Sequence, residues 1–256
     1  MSVPRVLVIA GSDSGGGAGI QADIKAITAF GCHAMTAITA ITAQNTLGVA
    51  DFLVLEPALV VAQIDAVLSD IGADAIKIGM IGSPAVAKAV ADRLSRDDAR
   101  VPLVFDPVMI ATSGATLADG ATIVAFERLM KRATLVTPNL PELASLSPEG
   151  AEALAARTGA WVLVKGGHGE GDRLIDRLVA PDGLSEIWID DRIVTPHTHG
   201  TGCTLASAIA AGLAWSEPLA AAVAAARRHV RAAIRAAPGL GRGNGPLGIP
   251  RKITFR

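Results

Sequence analysis

A glycine-rich turn near the carboxyl end of the chain has residues suited to phosphoryl chemistry. In HGTGCT (199–204), four small residues precede a strongly patterned helix, whose first N–H groups would be free to bind an anion. Such donors stabilise the charge that develops on a phosphoryl group during transfer. Cys203 lies in this positive region, so we expect a lowered pKa and a thiolate. A buried, inert cysteine is the alternative, and it is our interpretation of Cys32.

A second glycine-rich turn, GSDSGGGAG (11–19), follows the first apolar run and has Asp13 and Asp23 nearby. Its glycines would let backbone N–H groups approach a ligand, and a tight turn without a ligand is the alternative. The turn does not match the common nucleotide motifs. The chain has no Gly-Lys pair, which the phosphate loop requires, and Ile20 stands where the dinucleotide motif has glycine.

Polar side chains also follow three other apolar runs. Asp106 closes one run, Asn139 and Glu142 follow the next, and Lys165 ends a third at a glycine pair. Carboxylates at strand ends suit Mg²⁺, although each could instead cap the next helix. Burying an unpaired Lys165 would be costly, and a phosphate partner would remove that cost.

The histidines are interpreted differently. His168, His197 and His199 lie in the same loops, but the chain has no HExxH or other metal-ligand spacing. We therefore interpret them as polar loop residues and predict no zinc site.

Alternating strands and helices must position these residues. Strand-like runs occupy 5–11, 33–42, 75–79, 101–106, 133–137 and 161–167. Helical patterns occupy 18–31, 57–71, 83–96, 119–131, 147–159, 202–214 and 217–236. This alternation predicts an α/β fold with a mostly parallel sheet covered on both faces. Residues 173–194 predict a hairpin with a Pro-Asp-Gly turn, and no linker divides the chain, so we predict one domain over residues 1–256.

The composition excludes several classes of protein. The 256 residues carry a net charge of −1 without a basic run, which argues against nucleic-acid binding. The longest apolar segments, such as 219–226, are far shorter than the roughly 20 residues that span a bilayer. The amino terminus has too short an apolar run for a signal peptide, and two cysteines form no disulfide framework. We expect a cytoplasmic protein with small-molecule partners.

Seven motifs, taken in order, resemble those of the hydroxymethylpyrimidine/phosphomethylpyrimidine kinases of thiamine biosynthesis. They are AGSDSGGGAGIQADIKA, TAITAQNTLGV, KIGM, DPVM, TPNLPE, VKGGH and THGTGCT. The resemblance covers nearly the whole chain. It implies a ribokinase-like three-layer α/β/α sandwich, a homodimer, and phosphorylation of 4-amino-5-hydroxymethyl-2-methylpyrimidine by ATP and Mg²⁺. The monophosphate would then be phosphorylated to the diphosphate.

The resemblance also implies roles for individual residues. The pyrimidine would be held by Asp23 and Gln44, between walls formed by Gly11, Thr42, Met80 and Val108. Cys203 would be the base, where most ribokinase relatives have Asp, and the transferring group would meet the N–H groups of Gly200, Thr201, Gly202 and Cys203. ATP and its phosphates would contact Asp106, Asn139, Lys165 and Thr204, and the metal would contact Glu142 and Asp106.

Two residues depart from the pattern of this family. Thr112 stands where many relatives have Lys, and His197 where many have Asn, which predicts a phosphate contact that is weaker or supplied elsewhere. Two other functions stay open at this point. A pyridoxal kinase shares the fold and reaction type but usually has Asp at the position of Cys203. A non-catalytic pyrimidine-binding protein would keep the pocket and lose turnover.

Overall fold

The computed structural model describes residues 2–96, 99–110, 114, 117–169 and 171–250. In this part of the chain nine strands form one sheet, in the order β3-β2-β1-β4-β5-β6-β7-β8-β9. The strands are β1 (Arg5–Asp13), β2 (His33–Asn45), β3 (Gly48–Val54), β4 (Ala75–Ile78), β5 (Leu103–Phe105), β6 (Leu135–Val136), β7 (Trp161–Val164), β8 (Arg173–Val179) and β9 (Ser185–Asp191). The α-helices are α1 (Gly19–Ala29), α2 (Pro57–Asp70), α3 (Pro84–Leu94), α4 (Gly120–Arg132), α5 (Leu140–Leu146), α6 (Ala151–Thr158), α7 (Thr201–Ala214) and α8 (Leu219–Arg235).

The sheet is mostly parallel, which confirms the predicted fold class. Parallel pairing joins β2, β1, β4, β5, β6 and β7, whereas β3, β8 and β9 are antiparallel to their neighbours. The predicted hairpin is β8–β9. Its turn is closed by the N–H of Gly183, which donates to the carbonyl of Ala180 at 3.0 Å.

Two elements were not predicted. Strand β3 lies at the edge of the sheet, and its side chains are mostly exposed, including Phe52 and Leu53, so it lacks the alternation of a half-buried strand. Helix α5 has only seven residues, too few to show a helical period, although Pro141 stands in its first turn.

The two faces of the sheet have separate cores, as a three-layer sandwich requires. On β1, Val6, Val8 and Ala10 belong to the core shared with α1, α7 and α8. Leu7 and Ile9 point to the other face, into the core shared with α2, α3, α4 and α6. Burying each such side chain stabilises the fold by about 1.5–3 kcal/mol, so the strand is held firmly from both faces.

The parallel strands bring their carboxyl ends to one edge of the sheet, where ligands bind in folds of this kind. Asp13 and Gln44 lie at the ends of β1 and β2, while Asp106, Asn139 and Lys165 closely follow β5, β6 and β7. The predicted site residues therefore meet at this edge. Among the described residues, no helix is both long and apolar enough to cross a bilayer.

Candidate active site

A cavity of about 660 Å³ lies at this edge of the sheet, within the usual size range of small-molecule sites. The predicted residues that line it are Gln44, Val108, Asp106, Asn139, Glu142, Lys165, Gly200, Thr201, Gly202 and Cys203. Four others, Gly11, Thr42, Met80 and Thr204, are buried and are not among its lining residues. Met80 packs against Val108, so it supports the cavity from behind.

The glycine-rich turn begins α7, as predicted. Gly200 is the N-cap residue of the helix and has a φ of 84°. A side chain there would place its Cβ 1.8 Å from the carbonyl oxygen of Gly17, so only glycine fits. At Gly202 a Cβ would lie 3.3 Å from Lys165 Nζ and 3.5 Å from Asp106 Oδ2. The helix start therefore faces a cation and a carboxylate directly.

Lys165 is paired with two carboxylates, so the cost of burying its charge is already offset without a phosphate partner. Its Nζ lies 2.7 Å from Asp106 Oδ1 and 3.8 Å from Glu142 Oε2. Although burial opposes the charge, Asp106 and Glu142 raise the pKa of Lys165. Asp106 Oδ1 also accepts a hydrogen bond from Thr137 at 2.9 Å. Its Oδ2 is buried and has no hydrogen-bond partner among the described residues.

Asn139 and Glu142 form a capping box at the start of α5. The Asn139 side chain accepts from the N–H of Glu142 at 2.9 Å, and Glu142 Oε2 accepts from the N–H of Asn139 at 2.8 Å. Burial raises the pKa of Glu142. The alternative role of these residues as caps is thus confirmed, and the same two residues line the cavity.

The pKa of Cys203 is raised, and the prediction of a lowered pKa is wrong. Burial raises the pKa of its thiol to about 11, and the carboxylates of Asp23 and Asp106 act in the same direction. Lys77 and the N–H of Gly19 favour the thiolate but do not outweigh these effects. Cys203 is therefore a thiol at neutral pH.

The first glycine-rich turn binds an internal anion. The N–H groups of Gly15, Gly17 and Ala18 donate to the carboxylate of Asp13 at 2.8, 2.9 and 2.8 Å. Asp13 is buried, and burial opposes its charge, but His199 and these N–H groups lower its pKa. A side chain of the same turn therefore occupies three of these amides, which favours the alternative of a tight turn without a ligand.

Comparison with known proteins identifies the family of the chain. Residues 13–248 match the family model described as phosphomethylpyrimidine kinase. The chain belongs to this family. A hydroxymethylpyrimidine/phosphomethylpyrimidine kinase of Rhizobium meliloti is 48% identical over 255 residues, covering 94% of this chain and 95% of that protein.

Two further similarities extend the comparison. The thiamine biosynthesis bifunctional protein ThiED of Geobacter sulfurreducens is 48% identical over 94% of this chain, which spans only 51% of that protein. The solved ADP complex of Bacillus subtilis pyridoxal kinase has a TM-score of 0.88 and 30% identity, covering 96% of this chain and 97% of the other. The similarity supports a ribokinase-like fold for this member of the phosphomethylpyrimidine kinase family.

In this kinase Asp23 is not among the residues that line the cavity, which argues against its expected role in holding the pyrimidine. Its side chain is fully buried and lies 2.9 Å from Lys77 Nζ through both oxygens. Ser207 donates a third hydrogen bond to it at 2.7 Å. Burial opposes the charge of Lys77, but Asp23 raises its pKa above the ordinary range. The pair is a structural ion pair beneath the start of α7.

His199 belongs to the site of this kinase, so its interpretation as a polar loop residue is wrong. It is buried, and its Nε2 lies 2.9 Å from Asp13 Oδ2 and 3.3 Å from the side-chain nitrogen of Gln44. His168 is exposed at the end of a short 3₁₀ helix, Gly166–His168, and also lines the cavity. The departure at Thr112 lies outside the described residues.

Sequence analysis also missed the pair formed by Asp176 and Arg227, which lines the other end of the cavity. Arg227 Nε donates to Asp176 Oδ2 at 2.7 Å, and the N–H of Gly166 donates to Asp176 Oδ1 at 2.9 Å. This pair thereby holds the turn that follows Lys165. The sequence could have indicated this pair, because Asp176 on β8 and Arg227 on α8 are charged residues at positions that otherwise face the core. A charged residue at such a position usually has a buried partner.

Proposed function

We propose that this kinase phosphorylates 4-amino-5-hydroxymethyl-2-methylpyrimidine with ATP, first to the monophosphate and then to the diphosphate, in thiamine biosynthesis. The observation that carries the proposal is one cavity lined at once by Gln44, Cys203 and Lys165. An amide can recognise the donor and acceptor edge of an aminopyrimidine. The helix start and Lys165 suit the phosphates, so both substrates would meet beside Cys203.

Cys203 would accept the proton of the hydroxymethyl group as its oxygen attacks the γ-phosphorus. The bond to the β-phosphate oxygen then breaks, and ADP leaves. Because the transition state is loose, the hydroxyl group loses its proton late in the reaction. The Cys203 thiolate can accept this proton, since the pKa of the thiol is about 11. At pH 7 only about one thiol in 10⁴ is ionised, so we expect the reaction to speed up with pH.

The phosphates would be bound by the N–H groups at the start of α7, together with Lys165. The developing negative charge lies beside these fixed donors, which is the arrangement that stabilises a transferring phosphoryl group. Gly202 has no side chain between the helix start and the Lys165–Asp106 pair, and this leaves room for the group.

Mg²⁺ fits the residues that line this part of the cavity. The buried Oδ2 of Asp106 has no partner among the described residues, and Glu142 and Asn139 supply further oxygen atoms nearby. In the described ranges no group of three His, Cys, Asp or Glu side chains could hold a metal. This suits Mg²⁺, which needs one or two carboxylates besides water and phosphate oxygens. Bound Mg²⁺ would neutralise charge on the phosphates.

The test is turnover by the purified protein with ATP, Mg²⁺ and hydroxymethylpyrimidine, followed by ADP release and product mass. Successive addition of one and two phosphoryl groups is the expected result. Cys203→Ala serves as the control and should keep pyrimidine binding while losing most turnover. Absence of any phosphorylated pyrimidine would contradict the proposal.

Pyridoxal phosphorylation is the second candidate function, favoured by the similarity to the pyridoxal kinase structure. The same assay with pyridoxal decides between them through the two kcat/KM values. A clear preference for pyridoxal would make it the main substrate. A protein that binds the pyrimidine without turnover is disfavoured because a pure binder would not need a helix start facing Lys165 and Asp106.

The chain would act as a single kinase domain in a cytoplasmic homodimer. Two free cysteines, Cys32 and Cys203, suit a reducing compartment. The edge formed by β2 and β3 exposes Ile41 and Leu53, which are paired across the two strands, and exposed apolar side chains of this kind suit a contact between two copies. Light scattering during gel filtration should give twice the mass of the chain.

A further inference from the structure

Four side chains form a hydrogen-bonded row at the pyrimidine end of the cavity. From one end to the other they are Thr42, Gln44, His199 and Asp13. Thr42 Oγ1 lies 3.3 Å from Gln44 Oε1, Gln44 Nε2 lies 3.3 Å from His199 Nε2, and that same nitrogen lies 2.9 Å from Asp13 Oδ2. Of the four, Gln44 and His199 line the cavity, and Gln44 is half-buried, so its amide is exposed to a ligand.

The proton at His199 Nε2 is determined by Asp13. The carboxylate of Asp13 already accepts three backbone N–H groups, and an ionised carboxylate can only accept. His199 Nε2 must therefore carry a hydrogen and donate it, whatever the state of the other ring nitrogen. With the amide nitrogen of Gln44 beside it, two donors face each other, which is unfavourable in a buried site.

The hydroxyl of Thr42, at the other end of the Gln44 amide, also requires the amide nitrogen and oxygen to exchange places. The Thr42 hydroxyl has one hydrogen, and it donates to the carbonyl of Ser12 at 3.0 Å. Towards Gln44 the hydroxyl can then only accept, so it needs the NH₂ group as its neighbour. The two ends of an amide have nearly the same shape, and a rotation of 180° exchanges them in the same space.

We propose that His199 and Thr42 hold the Gln44 amide with its oxygen towards His199 and its NH₂ towards Thr42, so that the site selects a 4-aminopyrimidine. This inference rests on the proposed function. His199 is then a positioning residue for substrate recognition, with Asp13 as the acceptor that keeps its hydrogen in place. In this orientation the Thr42 contact has one donor and one acceptor. At His199 the single Nε2 hydrogen, which donates to Asp13 at 2.9 Å, is shared with the amide oxygen of Gln44, and the clash between two donors is removed.

The surroundings of His199 prevent it from turning away. A Cβ on Gly17 would lie 2.3 Å from the Cδ2 atom of the ring, so the imidazole packs directly on the backbone of the first glycine-rich turn. The N–H of His199 donates to the carbonyl of Gly245 at 3.2 Å. The backbone of His199 is thus fixed, and its ring is held by the packing on Gly17 and by the hydrogen bond to Asp13, so the direction of its donor is restricted.

The orientation also determines which way the pyrimidine lies. Its 4-amino group would donate to the amide oxygen near His199, and the adjacent ring nitrogen would accept from the NH₂ near Thr42. The hydroxymethyl group is on the carbon next to the amino-bearing carbon. It would therefore lie on the His199 side, towards Gly200 and the helix start that contains Cys203. The 4-oxo analogue has the reverse pattern, with an acceptor at position 4 and a donor on the ring nitrogen.

The test compares kcat/KM for the 4-amino substrate with kcat/KM for its 4-oxo analogue. Sites that hydrogen-bond a substrate group discriminate against an analogue without it by on the order of 10⁴. His199→Phe keeps a ring on Gly17 but removes the Nε2 donor, and Thr42→Val removes the acceptor at the other end. Each should lower the discrimination at least about tenfold, because the amide can then turn over. His33→Phe, at the exposed start of β2, is the matched control.

Thermal melting keeps misfolded variants out of the comparison. Discrimination unchanged in both folded variants would overturn the inference. An equal loss of activity on both substrates would overturn it too, since that loss reports general damage to the site.

NMR of the wild-type protein tests the orientation separately from the function. Contacts between the Gln44 NH₂ protons and the Thr42 methyl group are expected. Contacts of the same protons with the His199 ring would overturn the orientation even if the pyrimidine is phosphorylated. If no pyrimidine is phosphorylated, the proposed function fails, and this NMR measurement still decides the orientation of the amide.

Discussion

Replacing Lys77 with methionine should destabilise the protein strongly, because the buried carboxyl of Asp23 would lose its cationic partner. Burial already raises the pKa of Asp23, so without Lys77 the carboxyl must either bind a proton or keep an unpaired charge, and both cost free energy. Both side chains are fully buried, and Lys77 Nζ lies 2.9 Å from each carboxylate oxygen. Breaking a buried pair by removing one partner costs about 3–5 kcal/mol. That is a large part of the 5–15 kcal/mol typical of whole domains. For a chain of this length, it corresponds to a fall in Tm of roughly 6–20 °C.

The double variant, Lys77→Met with Asp23→Asn, completes a double-mutant cycle with the two single variants. It removes both charges, so the free energy of unfolding should return most of the way to wild type. Ser207 can still donate to the amide oxygen of the new asparagine. The exposed Lys88→Met on α3 is the control, with an expected change within about 0.5 kcal/mol.

Urea unfolding of five proteins, followed by circular dichroism, measures these differences: the wild type, Lys77→Met, Asp23→Asn, the double variant and Lys88→Met. A loss below 1 kcal/mol for Lys77→Met, or a double variant that is less stable than both single variants, would refute the reasoning. The same series separates stability from recognition. Because Asp23 is not among the residues that line the cavity, folded Asp23→Asn protein should bind the pyrimidine with nearly unchanged affinity.

Three further predictions concern the site. Cys203→Ala should lower kcat about 10²–10⁴-fold with little change in pyrimidine affinity by calorimetry; unchanged kcat would remove the thiol from the mechanism. With a pKa of about 11, the alkylation rate of Cys203, followed by peptide mass spectrometry, should rise about tenfold per pH unit from pH 7 to 10, and a plateau below pH 9 would contradict this. Gly200→Ala should lower both Tm and kcat, because its Cβ would clash with the Gly17 carbonyl, whereas Gly120→Ala, with open space around it, should not; equal melting temperatures would argue against the clash.

Local patterns were sufficient for most of the fold. The spacing of apolar residues identified the alternating strands and helices, and the Pro-Asp-Gly turn identified the β8–β9 hairpin. Strand β3 was not predicted because an exposed edge strand has no buried face, and its sequence therefore does not alternate between apolar and polar residues. Helix α5 was not predicted because its seven residues are too few to show a helical period.

The location of the site follows from the order of residues along the chain. Parallel strands end at one edge, so residues that follow them, such as Asp106, Asn139 and Lys165, had to come together there. The helix start at Gly200 could be predicted because small residues precede a run of apolar residues with helical spacing. The motifs also determined the family, since their order and spacing are properties of the chain alone.

The charge and the partner of each site residue depend on how the folded chain packs. Desolvation and hydrogen bonds depend on neighbours in space, and these neighbours come from distant segments: His199 meets Asp13 across 186 positions, and Lys77 meets Asp23 across 54. The local pattern around Cys203 indicated a helix dipole and hence a thiolate. Burial beside two carboxylates, which no local pattern contains, makes it a thiol instead.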